Sequence, residues 1–327
     1  MTALSVLDLM MIGEEKTFAN TLDEAAMLAR HVETHGYKRF WVAEHHDLPG
    51  IASSATTLLI QHLAASTSEL RIGSGGIMLP NHSPLAVAEQ FGTLDTLFPG
   101  RIDLGVGRAP GSAGRAIHAL RGDASERDFG QDLEQLSNYL ADNGRQPVRA
   151  IPEKHDVPIW LLGSSLQSAD LAAKLGLPYA FASHFAPRFL MSAINHYRSN
   201  FRPSAGLTQP YVIVGANVFA AQTRARAEYV ATSHRHWVRN LYSGRPGPLP
   251  RPEEGFMDNL SEYDRRNLGD AMSCTAIGNP DDVGSWLREF ISMTQANEVM
   301  IDARIYDPVA RCRSYQLAAE SIADILD

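Results

Sequence analysis

The sequence predicts an α/β protein folded as a (β/α)8 TIM barrel, with long insertions after the fourth and seventh strands. Short apolar strands alternate with amphipathic helices eight times, the arithmetic of a closed parallel barrel. An open doubly wound sheet, the rival, would carry a G-x-G-x-x-G turn after its first strand. Here Met10-Met11-Ile12-Gly13 follows instead. A length of 327 residues fits one barrel domain over 1–327.

The first strand is expected over Leu4 to Leu9. Thr21, with Glu24 three residues on, forms a capping-box pattern for the first helix. Its apolar stripe is Leu22, Ala25, Ala26, Ala29 and Val32, and Gly36 closes it. The second strand is Arg39 to Ala43, followed by a helix over 55–67. The third strand runs from Leu70 to Met78, and a helix from Leu85 to Phe98 stops at Pro99-Gly100. The fourth strand is Ile102 to Val106. After a polar stretch and a helix over 128–142, Pro158 to Leu162 is the fifth. A helix from Ser165 to Leu175 stops at Gly176, and Leu177 to Ala182 is the sixth strand. A helix over 187–201 and the seventh strand, Tyr211 to Val218, come next. A helix over 281–292 leads to the eighth strand, Glu298 to Ala303, and a helix over 311–325 ends the chain.

Two stretches break the rhythm, Ala109 to Ser125 and the Pro/Gly-rich Tyr242 to Gly269. Insertions after strands lie on the catalytic face of such a barrel, so the second is either a mobile lid or a passive surface excursion.

Composition narrows the function. Hydrophobic residues make up 44% and charged residues 20%, and the formal charge is −8, with no basic stripe. Such a surface repels a nucleic-acid backbone. The N-terminus lacks a basic start and a long apolar run, and no segment reaches a membrane span's length. A cytoplasmic protein is expected, with no nucleic acid and no membrane among its partners. Cys274 and Cys312 have no CxxC spacing, so two reduced thiols are expected and no metal site.

Chemistry in a barrel is read at the C-terminal ends of strands. The second ends in Glu44-His45-His46-Asp47. Neighbours on an extended chain point to opposite sides and rarely share one metal ion. Acid/base work or cofactor contact is the better reading, beside a structural hydrogen-bonding role. The third ends in Gly73-Ser74-Gly75-Gly76, either a tight barrel corner or bare backbone for a flat ring. The fourth presents Arg108 between small residues, suited to a phosphate or carboxylate, or else to a surface ion pair. The fifth ends in Gly163-Ser164-Ser165-Leu166-Gln167-Ser168, where helix-start amides and hydroxyls offer an anion site or ordinary N-capping. With Arg108 on the neighbouring strand, a phosphate is the expected ligand. The sixth adds His184 and Phe185. His31 and His35 share one helix face without the metalloprotease pattern and are expected to face solvent. No nucleophile elbow occurs, which fits a cofactor supplying the reactive centre.

Several segments together resemble the bacterial luciferase-like flavin monooxygenases. They are AEHH at Ala43–His46, GSGGIMLPNHSP at Gly73–Pro84 and AEQFGTLDTLFPGRIDLGVGRAPG at Ala88–Gly111, extended by WLLGSS from Trp160 and LAAKLGLPYAFASHFAP at Leu171–Pro187. The chain is most similar to the single-polypeptide relatives of luciferase. The resemblance implies a barrel that binds reduced FMN delivered by a separate NAD(P)H:flavin reductase, and that uses O2 to oxygenate a small organic substrate. By position it implies Arg108, Gly163, Ser164, Ser165 and Ser168 at the FMN phosphate. It places Gly75-Gly76 behind the flavin ring, at a position where the family has a non-proline cis peptide. It also places Glu44, His45 and His46 at the reactive edge, with His45 as proton carrier, and implies a homodimer. Gly107 stands where luciferase has a reactive cysteine, so light emission is not implied. Alternatives within the same fold are a flavin- or deazaflavin-linked dehydrogenase and a flavin-binding protein with little catalysis.

Overall fold

The computed structural model describes residues 2–109, 114–121, 128–141 and 147–326. Eight parallel strands close a ring: β1 (Ala3–Asp8), β2 (Arg39–Val42), β3 (Arg71–Ser74) continued by β4 (Ile77–Met78), β5 (Ile102–Gly107), β6 (Ile159–Gly163), β7 (Tyr179–Phe181), β8 (Val212–Ala220) and β10 (Glu298–Asp302). The pairing of β10 with both β8 and β1 shuts the barrel. Between strands lie α1 (Phe18–Glu33), α2 (Thr56–Ala65), α3 (Pro84–Leu97), α5 (Phe129–Ala141), α6 (Leu166–Leu175), α7 (Leu190–Asn200), α10 (Pro280–Thr294) and α11 (Pro308–Ser321).

The expected fold class stands, with local corrections. Helix α1 begins one turn earlier than expected. Thr17 is its N-cap and forms a capping box with Asn20, so the Thr21/Glu24 pattern lies inside the helix. The third strand is interrupted where the Gly75–Gly76 peptide is cis. The insertion after β5 holds α4 (Gly114–Arg121), whereas Pro110, Gly111 and the expected helix end at Asp142 fall outside the described residues. The largest departure follows β8: α8 (Arg224–Tyr242), α9 (Glu262–Ala271) and a ninth strand β9 (Thr275–Gly278), which pairs with the C-terminal half of β8. The 242–269 stretch is not a passive excursion throughout. Leu249, Phe256, Leu260 and Leu268 are buried in one cluster with Trp41, Trp160 and Trp237, over the barrel mouth. His31 and His35 are half-buried, with ring centroids 4.3 Å apart, and do not simply face solvent.

Side chains alternate along each strand, which fills the barrel in layers. At the N-terminal end, Arg39 (3% exposed) donates to Asp103 at 2.6 Å and Glu298 at 2.8 Å, and Arg71 reaches the other Asp103 oxygen at 2.6 Å. Both carboxylates are fully buried, so each charge has its partner and desolvation is offset. Above them lie Leu7, Trp41, Trp160, Ile213 and Met300. The next residues along the same faces open at the C-terminal mouth. Among the described residues no helix is long and apolar enough to cross a membrane.

Candidate active site

Strand alternation divides the Glu44-His45-His46 cluster. Ala43 belongs to the inner cluster, and His45, two residues on, lies close enough to Arg304 and His184 for all three to interact electrostatically. Glu44 points the other way and is 1% exposed. Its carboxylate accepts from the Met78 amide at 2.9 Å, Asn81 Nδ2 at 3.1 Å, His82 Nε2 at 2.9 Å and His46 Nε2 at 2.9 Å. Burial alone would raise its pKa. The hydrogen bonds from His82, Met78 and His46 outweigh burial and hold it below the ordinary value. Glu44 therefore ties the end of β2 to the segment after Gly75–Gly76.

His45 is held in its neutral form. Burial, then the Arg304 guanidinium, lower its pKa to about 4, and its Nδ1 is buried without a partner. Burial brings His184 to about 4, and it brings His234, on α8, to about 3. Asp302 is 1% exposed. Burial opposes its charge, but Arg304 at 2.7 Å and the nearby histidines keep its pKa below the usual range. Arg304 also lies over the Trp237 ring at 4.5 Å. Asp302, Arg304, His234, Asn81 and His82 were missed from the sequence. Asp302-Ala303-Arg304 alternates at the end of a predicted strand and was open to the same strand-end reading. His234 had no comparable signal, because α8 was not expected.

On the neighbouring staves, β5 and β6 pair with Gly107 opposite Leu162. Arg108 leaves the end of β5, and its Nη2 donates to Gln167 Oε1 at 3.0 Å, in the first turn of α6. The structure thus brings Arg108, Ser165 and Ser168 to one place. Ser165 is the N-cap, and its Oγ accepts from the Ser168 amide at 3.3 Å. Ser168 Oγ donates to the Ser165 carbonyl at 2.8 Å, lies 2.9 Å from the Tyr179 hydroxyl, and fills the space a Cβ on Gly163 would need. Both hydroxyls are engaged in capping. By position, the amides of Leu166 and Gln167 have no helical acceptor. Ser164 lies at the strand end beside them.

Gly75 and Gly76 are packed against protein on their inner side. A Cβ on Gly75 would come 2.7 Å from Leu7 Cδ1, and one on Gly76 would come 2.8 Å from the Gly105 carbonyl. A tight barrel corner is enough to require both glycines.

The family model for luciferase-like monooxygenases matches residues 3–295. The chain belongs to that family. The luciferase-like monooxygenase of Escherichia coli (strain K12) is 45% identical over 330 residues, covering 99% of this chain and 98% of its own. The Bacillus subtilis (strain 168) protein YvbT is 47% identical over 323 residues, covering 98% and 96%. Among solved structures, apo-MsnO8 superposes with a TM-score of 0.88 at 36% identity, covering 99% of each chain. The fold extends further. The oxygenating constituent of a Pseudomonas putida diketocamphane monooxygenase, solved with FMN, has a TM-score of 0.73 at 15% identity, covering 100% of both chains. An F420-dependent secondary alcohol dehydrogenase has a TM-score of 0.67 at 15% identity, covering 98% of this chain and 99% of its own. This luciferase-like monooxygenase family protein is an oxidoreductase, and of the two fold relatives just named one was solved with FMN and the other depends on F420.

Proposed function

We propose that the protein is the oxygenating component of a two-component system, using reduced FMN from a separate reductase and O2 to oxygenate a small organic substrate. One observation carries the reading: the Arg108 guanidinium lies against the first turn of α6, on the stave next to its own. The exposed Arg108 cation, amides without helical acceptors and the positive end of the helix together form a donor set for a dianionic phosphate. Such a set fits a ribityl phosphate.

In that seat Arg108 and the Leu166 and Gln167 amides hold the phosphate, with Ser164 and Ser165 at its side. The 3.3 Å contacts of Ser165 Oγ are long enough to yield to a stronger acceptor. Gly75–Gly76 lines the ring position, and the Leu249–Leu268 cluster keeps water from the mouth. Reduced FMN held there would supply the reducing chemistry toward O2. His45 carries a proton at its ring nitrogen beside that position, while Glu44 and His46 hold the β2 end in place. The reading extends to a cytoplasmic homodimer, as in the family.

Titration of the protein with FMN, followed by flavin fluorescence, tests the reading. Loss of the charge-assisted bonds in Arg108→Ala should weaken FMN roughly 10- to 100-fold without unfolding the protein. An unchanged dissociation constant removes the phosphate role. Preference for deazaflavin over FMN in the same titration overturns the cofactor assignment.

A further inference from the structure

His184 is held unusually firmly for a residue in a turn. Ser183 Oγ donates to the Gly215 carbonyl at 2.6 Å, and Asn217 Nδ2 donates to the His184 carbonyl at 2.9 Å, so the turn after β7 is pinned twice to β8. Gly215 lies between Ile213 and Asn217 on the inward face of β8, opposite Met300. The imidazole rests on that bare position. A Cβ built on Gly215 would come 2.3 Å from His184 Nδ1, 3.1 Å from Cγ and 3.3 Å from Cε1. Nδ1 therefore faces a Cα–H of Gly215. It is shut off from solvent and has no partner.

That contact decides the tautomer. A lone pair on Nδ1 meets the Cα–H as a weak attraction, whereas an N–H there would meet it hydrogen to hydrogen and stay unsatisfied. The proton of the neutral ring belongs on Nε2, the nitrogen able to face the mouth. Burial keeps the ring neutral against the pull of Asp302, and Arg304 adds to this.

We propose that His184 is a fixed hydrogen-bond donor in the barrel mouth, offering Nε2–H to a carbonyl-type acceptor on the bound small molecule, with Gly215 setting the tautomer. His45 stands across the same mouth, near enough to interact with it electrostatically. The acceptor belongs either to the flavin's ring carbonyls or to the substrate. The inference rests on the mouth being the reaction site, as proposed above.

Long-range 1H–15N spectra of the histidine side chains test it, with His184 assigned by its absence in His184→Phe. At pH 7 the ring should carry its proton on Nε2. Adding oxidised FMN and then cyclohexanone separates the two sources: a shift with FMN assigns the acceptor to the cofactor, and a shift only with the ketone assigns it to the substrate. His184→Phe keeps the ring's shape and should weaken the probe that produced the shift by about fivefold, the worth of one net hydrogen bond. Gly215→Ala displaces the ring and should reproduce that loss. A proton on Nδ1, no response to either probe, or full affinity in His184→Phe overturns the proposal. FMN affinity that ignores Arg108→Ala would instead remove only the phosphate seat, leaving the tautomer result intact.

Discussion

Replacing Glu44 with alanine removes a carboxylate that is 1% exposed and accepts from four donors, the Met78 amide, Asn81, His82 and His46. The Met78 amide loses its side-chain acceptor outright, while His46 and His82, 17% and 30% exposed, keep access to water. Breaking such a buried network costs about 3–5 kcal/mol. For a chain of 327 residues the unfolding entropy makes 1 kcal/mol worth roughly 1.5 °C, so the melting temperature should fall by about 4–7 °C. Calorimetry reads this directly. The carboxylate's lowered pKa sets the pH dependence: its stabilisation is present above the unfolded-state value and fades as pH falls through the folded one. The difference between wild type and Glu44→Ala should therefore narrow in strong acid. A shift below about 1 °C at neutral pH would refute the view that Glu44 braces the β2–β4 junction.

Buried His234 and half-buried His45 and His184 set a second pH window. Their folded values, about 4, 4 and 3 for His45, His184 and His234, lie below the unfolded 6.5. The unfolded chain thus binds more protons between, so stability is complete above pH 6.5 and declines towards pH 4. A melting temperature flat from pH 7 to 5 would contradict that burial. His45→Ala should retain FMN but slow substrate oxygenation, checked by single-turnover product formation with reduced FMN; normal turnover would end the proton-carrier role. Gly105→Ala sets a Cβ 2.1 Å from the Ser74 carbonyl and should separate β3 from β5, costing at least about 1–3 kcal/mol in urea unfolding.

Local signals carried the barrel. Eight apolar runs, Gly176 in the left-handed conformation at the end of α6, and strand ends rich in polar residues are properties of short stretches, and all lie close to where they were expected. The pairing of Arg108 with the start of α6 was legible too, because neighbouring strands in a parallel barrel are sequential. Helix α8 was not: its residues Arg224–Tyr242 are largely polar, and what stabilises it is the burial of Val230, Trp237 and Val238 against the rest of the molecule. With it went His234 and the packing of the 242–269 stretch. Nor could the sequence assign sides to Glu44 and His45, or place His184 on Gly215, since those facts depend on strand register and on contacts between residues 31 positions apart. Periodicity along the chain determined the eight barrel strands and most of the helices between them, and their order. Only closure of the barrel decided which polar groups share the mouth, because convergence is set by long-range packing that no local stretch encodes.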